Sequence, residues 1–474
     1  MTASAAPPAR ALVRGLGIAA TIAVVISNVI GTGVFLKARV MACHVDTPLT
    51  ALAVWVATGI LALAGALTYA ELSAMMPRAG GEYVFIREAY GRLWAFLYGW
   101  MRFFVGTTGG QAALAAGFAI FLNVASGGAL GGWHHTFALP GGATFEVTAI
   151  EAVALGAIAV VTLVNCAAVT VGGTLGVVFT VLKLTLVLGV GLAAFLLADG
   201  SWAHFTMSGA DATCEGVAAA TRGGLAGFGA AMMAALWAYN GWNEVTYVAG
   251  EVKDPGRTMP LALVGGVLAV MGVYVFVNAA YAWVLTPAEI GSVPAASAVA
   301  SEVMARVIGP GAAGLMAATL AMSVFTALHM ATLVGARVPY AMAEDGLFFK
   351  SLSAVSPRTR VPVRALVVQG LWASLLVLSG SFDTLTNYSI FAVLIFVGLA
   401  TAAVFVLRHR RPDAERPYRT WGYPVIPALV LLVTTWLIVN TLMTMPYESF
   451  GGLALLALGL PAYWLFTREP ASGR

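Results

Sequence analysis

Ser27-Asn28-Val29-Ile30-Gly31-Thr32-Gly33-Val34-Phe35 lies inside the first apolar run of the chain and interrupts it, with two glycines flanking one small hydroxyl residue. A helix can unwind there, because glycine adopts backbone angles that other residues avoid and lets a ligand approach the bare main chain. Backbone at membrane depth has no water to bond to, so an unwound turn is tolerated only where it lines a cavity or holds a ligand. About half the chain further on, a second apolar run is interrupted in the same way at Trp237-Ala238-Tyr239-Asn240-Gly241-Trp242-Asn243-Glu244. Two broken spans in corresponding positions point to a binding site near the bilayer midplane, the arrangement of a secondary transporter.

The half-helix that begins after the first break presents free N–H groups and a positive dipole end, suited to a carboxylate. The half-helix that ends before it presents free C=O groups, suited to an ammonium. One break therefore offers both poles of an α-amino acid. The alternative use of such glycines is close helix packing.

Composition agrees with a membrane setting. Of 474 residues 60% are hydrophobic and 10% charged, and the mean hydropathy is +0.89, which excludes a soluble domain. Apolar runs of spanning length fall near 15–41, 49–75, 92–123, 147–170, 173–198, 224–250, 259–285, 311–338, 363–380, 384–407, 423–445 and 449–467, which predicts twelve transmembrane helices. Nineteen of the 25 Lys and Arg residues fall on the side of the termini and only Lys37, Arg39, Arg222 and Arg306 fall opposite, so both termini are expected in the cytoplasm. That asymmetry accounts for a pI near 9.0 without nucleic acid as a partner.

The expected organisation is an all-α integral membrane protein with a five-plus-five inverted repeat. Residues 1–12 form a disordered cytoplasmic tail, 13–200 the first five helices, 201–223 an outward loop and 224–407 the second, inverted five. Residues 408–422 form a cytoplasmic basic loop, 423–467 two peripheral helices and 468–474 a cytoplasmic tail. A Gly-rich outward loop is expected over 125–146, and Pro339 to Gly346 reads as a short continuation of helix eight.

Lys183 is an ammonium in the middle of a spanning helix, which is costly unless something holds it. Ser323 and Thr326 share one face of helix eight and are candidate partners together with the Ile30 carbonyl. Burial leaves open whether the lysine is a fixed charge or cycles a proton. Glu244, just after the second break, is a candidate proton site, and Arg102 is expected to snorkel or to pair with a carboxylate such as Glu71. Cys43 and Cys214 both fall in outward segments and are either two free thiols or a disulfide. His134 and His135 have no third ligand, so no metal and no cofactor is expected.

With these residues quoted, the chain resembles the amino acid, polyamine and organocation transporter superfamily, and within it the bacterial relatives of the L-type amino acid transporters. The resemblance rests on Val29 to Phe35, on Tyr69-Ala70-Glu71-Leu72 with Pro77-Arg78-Ala79-Gly80-Gly81-Glu82-Tyr83, and on Ala238 to Asn243 with Glu251-Val252-Lys253-Asp254-Pro255. It continues in Gly335-Ala336-Arg337 with Ala343 to Gly346, and in Arg416 to Pro424. It implies a leucine-transporter-like fold with helices one and six broken. It also implies that Thr32 and Gly33 bind the substrate carboxylate through backbone N–H groups, in the turn made by Val29, Ile30 and Gly31.

By the same resemblance the carbonyls of Val29, Trp237, Ala238 and Asn240 hold the amine, and Trp237 is the gating aromatic in place of the usual Phe. Asn240 replaces a frequent glycine, which favours small or polar substrates. Lys183 takes the place of a sodium ion, bridging the first break and helix eight, so transport is expected to be sodium-independent. The expected activity is exchange or uniport of small or polar neutral L-amino acids by alternating access, with proton symport as the alternative.

The expected location is the cytoplasmic (inner) membrane of a bacterium. Eukaryotic L-type transporters pair with a glycoprotein through a cysteine after helix three, and the loop here has none, so no obligatory heavy-chain subunit is expected. A polytopic enzyme would need paired carboxylates, a His cluster or a nucleophile with its base at membrane depth, and none is present in the sequence.

Overall fold

The computed structural model describes residues 12, 14–138, 144–167, 169–294, 297–309, 311–379, 382–444 and 446–468. Residues 1–11 and 469–474 of the expected tails, and 139–143 of the expected outward loop, lie outside the described residues.

Among the described residues eight helices are long and apolar enough to cross a membrane: Pro48–Met75, Arg92–Ala125, Thr174–Leu197, Pro255–Val284, Gly314–Glu344, Phe391–Arg410, Val425–Met443 and Ser449–Thr467. Ile18–Val29 and Gly33–His44 together make a further span, bent by 42° between them. The runs near 147–170 and 363–380 come out as shorter apolar helices, Ala149–Asn165 and Val363–Val377. The run at 224–250 is divided into an α-helix, Gly224–Tyr239, and a ten-residue 3-10 helix, Trp242–Glu251. Arg337–Glu344 follows Ala312–Gly335 directly, as the continuation of helix eight.

The expected loop over 125–146 contains a hairpin that sequence reading did not foresee. His134–Ala138 pairs antiparallel with Thr144–Thr148, through alternating Thr, Phe and Val side chains that suit a pleated strand. The second strand leads directly into a helix. Thr148 caps Ala149–Asn165 in a reciprocal box with Glu151, and Thr286 with Glu289 uses the same device before Pro287–Ser292.

The most extensive helix pairings are Pro255–Val284 along Pro48–Met75 and Ala312–Gly335 along Thr107–Ala125. The half-helix Ile18–Val29 lies between them, and Gly266 lets it close in, since a Cβ there would sit 2.6 Å from Val25. Val425–Met443 and Ser449–Thr467 are at the edge, with 28% and 11% of their most apolar stretches buried against 78% for Gly314–Glu344.

The two ends of the bundle are fastened differently. At the end where Leu16 bridges Val252, Arg337 pairs with Glu251 and both side chains are fully buried. There too Glu71 is held by Arg408 and Arg416 and by the Thr420 N–H, and Arg87 pairs with Asp345. At the other end Cys43 and Cys214 are bonded, with Cα atoms 5.6 Å apart, and the Gly223 N–H donates to His44 O.

Candidate functional site

The helix of the first break ends for want of hydrogen bonds. Ile30 N–H still reaches Ile26 O, but Gly31 N–H turns back to Val29 O at 2.8 Å, so Ser27 O loses the donor that the next helical turn would have given it. On the far side, the N–H groups of Thr32, Gly33 and Val34 have no backbone acceptor among the described residues. Lys183, 2% exposed, completes the carbonyl end: its ammonium donates to Ser27 O at 3.0 Å and to Ile30 O at 2.6 Å. Cations are favoured at such an end by both the free carbonyls and the dipole.

The expected partners on helix eight are arranged otherwise. The Thr326 hydroxyl donates to Ser323 O, and Ser323 Oγ has no partner among the described residues. Both residues are buried, but among the described residues neither hydrogen-bonds to Lys183, which donates two of its three N–H groups to main-chain oxygens of the break itself.

The second break passes Asn240 and then Gly241, which has φ +103, before the 3-10 helix begins. The two breaks touch by main chain: a Cβ on Gly33 would sit 2.4 Å from Ala238 Cα. Two side chains fasten them further. Trp237 Nε1 donates to Thr32 Oγ1 at 3.1 Å, and the Tyr274 hydroxyl lies 2.9 Å from Val29 O and 2.7 Å from Ala238 O. Tyr274 was not read from the sequence, where a phenol in the apolar helix Pro255–Val284 passes for core. A buried phenol normally finds a partner, and that is the signal that marks it.

Of the four carbonyls expected to hold an amine, Val29 and Ala238 thus have Tyr274, and Trp237 O accepts from Asn240 N–H at 3.2 Å. Val29 O also accepts the Gly31 N–H, so both of its lone pairs are engaged, whereas Ala238 O and Trp237 O each retain one.

Between the breaks is a small cavity. Its wall is formed by Asn28, Val29, Gly31, Thr32 and Gly33 from the first break, and by Trp237, Asn240, Gly241 and Glu244 from the second. Gly106, Thr107, Gly110, Leu114 and Ala331 close it. Ile30 and Ala238 are buried just behind this wall. The third-helix side was missed in sequence because it depends on a π-helical turn, Arg102–Gly106, that shifts the register within Arg92–Ala125. The small-residue run Thr107-Thr108-Gly109-Gly110 is the trace it leaves in the sequence.

Arg102 pairs with a carboxylate, as expected, but the carboxylate is Glu244 and not Glu71. It is 1% exposed and forms an ion pair with Glu244, whose other oxygen accepts from Asn28 Nδ2 at 2.7 Å. Glu71 is occupied by Arg408 and Arg416 instead. Glu244 therefore lines the cavity as the anchored centre of an Arg102–Glu244–Asn28 network. Next to it Glu82 accepts from three tyrosine hydroxyls, Tyr69 at 2.5 Å, Tyr98 at 2.6 Å and Tyr247 at 2.9 Å, and from Asn243 Nδ2 at 2.8 Å. The Arg102 guanidinium lies over the Tyr247 ring. Among the described residues no cluster of His, Cys, Asp and Glu is arranged to hold a metal.

A cavity between two unwound helices is the geometry expected of a carrier, and comparison with known proteins decides the family. A family model described as amino acid permease matches residues 16–457. The chain belongs to the amino acid permease family. The permease is 30% identical over 463 residues to the serine/threonine exchanger SteT of Bacillus subtilis (strain 168), covering 97% of this chain and 98% of that one. It is 29% identical over 457 residues to the b(0,+)-type amino acid transporter 1 of Mus musculus, covering 96% and 88%. With the large neutral amino acids transporter small subunit 2 of Homo sapiens it shares 28% identity over 462 residues, covering 96% and 81%. The permease is thus an integral membrane transporter and not an enzyme.

Proposed function

We propose that the permease is a sodium-independent exchanger of small or polar neutral L-amino acids. The observation that carries this reading is the Lys183 ammonium seated on Ser27 O and Ile30 O, the carbonyls freed by the first break. A fixed positive charge there supplies what a bound sodium ion would. The free N–H groups of Thr32, Gly33 and Val34 suit the substrate carboxylate, the carbonyl ends of the breaks suit its amine, and Trp237 closes over both. The name of the Bacillus subtilis relative supports exchange and a small substrate.

In this reading the chain crosses the membrane twelve times, counting the two shorter apolar helices and the divided sixth. Helices one to five and six to ten form an inverted repeat that rocks about the cavity. The packing of helix two on seven and of three on eight, Pro48–Met75 on Pro255–Val284 and Thr107–Ala125 on Ala312–Gly335, supports a pseudo-twofold axis. The basic residues put both termini in the cytoplasm of a bacterial inner membrane. No second chain is needed, because the loop after the third helix has no cysteine.

Counterflow in proteoliposomes tests the proposal. Sodium is replaced by choline, pH is held equal across the membrane, and unlabelled amino acids are loaded one at a time. Accumulation of labelled threonine or serine driven by a matching internal amino acid is the expected result. A strict need for sodium overturns the role given to Lys183, and uptake only under an acid-outside gradient makes the protein a proton symporter.

A further inference from the structure

Among the described residues, two polar side-chain atoms of the cavity-lining residues have no hydrogen-bond partner. Asn28, 8% exposed, donates through Nδ2 to Glu244 Oε2 at 2.7 Å and to Gly241 O at 3.3 Å. These two acceptors fix the orientation of the carboxamide, since the reversed amide would turn its own oxygen toward them. Its Oδ1 is left buried and unpaired. Arg102, by holding the other oxygen of Glu244, keeps this arrangement in place.

Thr107, 5% exposed, lines the same cavity, and its hydroxyl is also unpaired. Other buried threonines, Thr68, Thr180 and Thr332, donate to the carbonyl four residues back. For Thr107 that carbonyl is Phe103 O, which the π-helical turn gives to the Thr108 hydroxyl instead, at 2.5 Å. The irregular turn thereby leaves the hydroxyl of a cavity-lining residue without its usual acceptor.

Buried polar atoms are nearly always bonded, so two orphans in one cavity are a vacancy for a complementary group. One is an acceptor and the other can donate or accept. The wall bears no uncompensated charge, because Glu244 is paired with Arg102. A neutral group that both donates and accepts fits; a methyl does not, and a charged group gains no counter-charge.

We propose that Asn28 Oδ1 and Thr107 Oγ1 form the side-chain subsite of the permease and select amino acids that carry a hydroxyl or carboxamide over apolar isosteres. This rests on the reading of the cavity as the substrate site. Asn28 and Thr107 are then specificity-determining residues, and Arg102 and Glu244 position Asn28.

The test compares isosteric pairs in proteoliposome counterflow: threonine against valine, and asparagine against leucine. A site built to bond a hydroxyl rejects the analogue without it, so the wild-type protein is expected to favour threonine by about tenfold or more in kcat/KM. Thr107→Val and Asn28→Leu are each expected to bring that ratio to within about threefold of one, through a higher KM for threonine, while Thr107→Ser keeps the preference. Equal handling of threonine and valine by the wild-type protein, or a ratio unmoved in both variants, overturns the subsite alone. Absence of counterflow with any amino acid overturns the reading of the cavity and the subsite with it.

Discussion

The two breaks solve the same problem with opposite charges. At the first, the exposed carbonyls at the end of Ile18–Val29 are met by a cation, Lys183, reaching in from another helix. At the second, the exposed N–H end that opens the 3-10 helix Trp242–Glu251 carries an acid in its first turn, Glu244, and that acid is balanced by Arg102. Unwinding a helix in a membrane exposes both ends of its dipole, and each break is compensated at only one of them. On the function proposed above, the other ends, N–H groups at the first break and carbonyls at the second, are the ones offered to a zwitterion.

Breaking the compensation at the second break is expected to have the largest effect. Arg102→Met leaves Glu244 charged, buried and unpaired, which should lower stability by roughly 3–5 kcal/mol. Adding Glu244→Gln should recover most of it, and the thermal unfolding midpoint of the detergent-purified protein measures both. If the double variant is no more stable than the single one, the two residues do not compensate each other. At the first break, Lys183→Met strands two carbonyls at about 1–3 kcal/mol each and should reduce exchange to background. Retained exchange would show that the carbonyls need no cation.

The contact between the breaks comes next. Gly33→Ala drives a Cβ into the Ala238 backbone and should cost about 1–3 kcal/mol with loss of transport, because neither main chain can step aside. The smallest effect belongs to Tyr274→Phe, which removes the hydroxyl shared by Val29 O and Ala238 O. It should cost about 0.5–1.5 kcal/mol and slow exchange a few-fold, read from initial rates of counterflow.

The positions of both breaks could be read from sequence, because Gly31-Thr32-Gly33 and Asn240-Gly241 are local signals that need no knowledge of neighbours. Lys183 could be read for the same reason: a charge in an apolar run demands a partner whatever the fold. Its partner was only half legible, since Ile30 O belongs to the break but Ser27 O is freed by the turn of Gly31 N–H, a detail of backbone geometry. That Arg102 pairs with a carboxylate was legible, but which one was not, because that depends on the π-helical turn and on how helices 142 residues apart in sequence come together. The Arg408 that takes Glu71 instead lies 337 residues from it. Asn28 was in plain view yet unassigned, as nothing local says where its amide points.

The glycines of the cavity wall divide the routes by which this protein can diverge. At Gly33 a single added methyl meets backbone, whereas a Cβ on Gly110 meets nothing within 4 Å although the residue borders the same cavity. If the cavity holds the substrate as proposed, mutational drift can narrow the substrate range through position 110 one carbon at a time, while position 33 is closed to it. Descendants with new diets should differ at the former and share the latter.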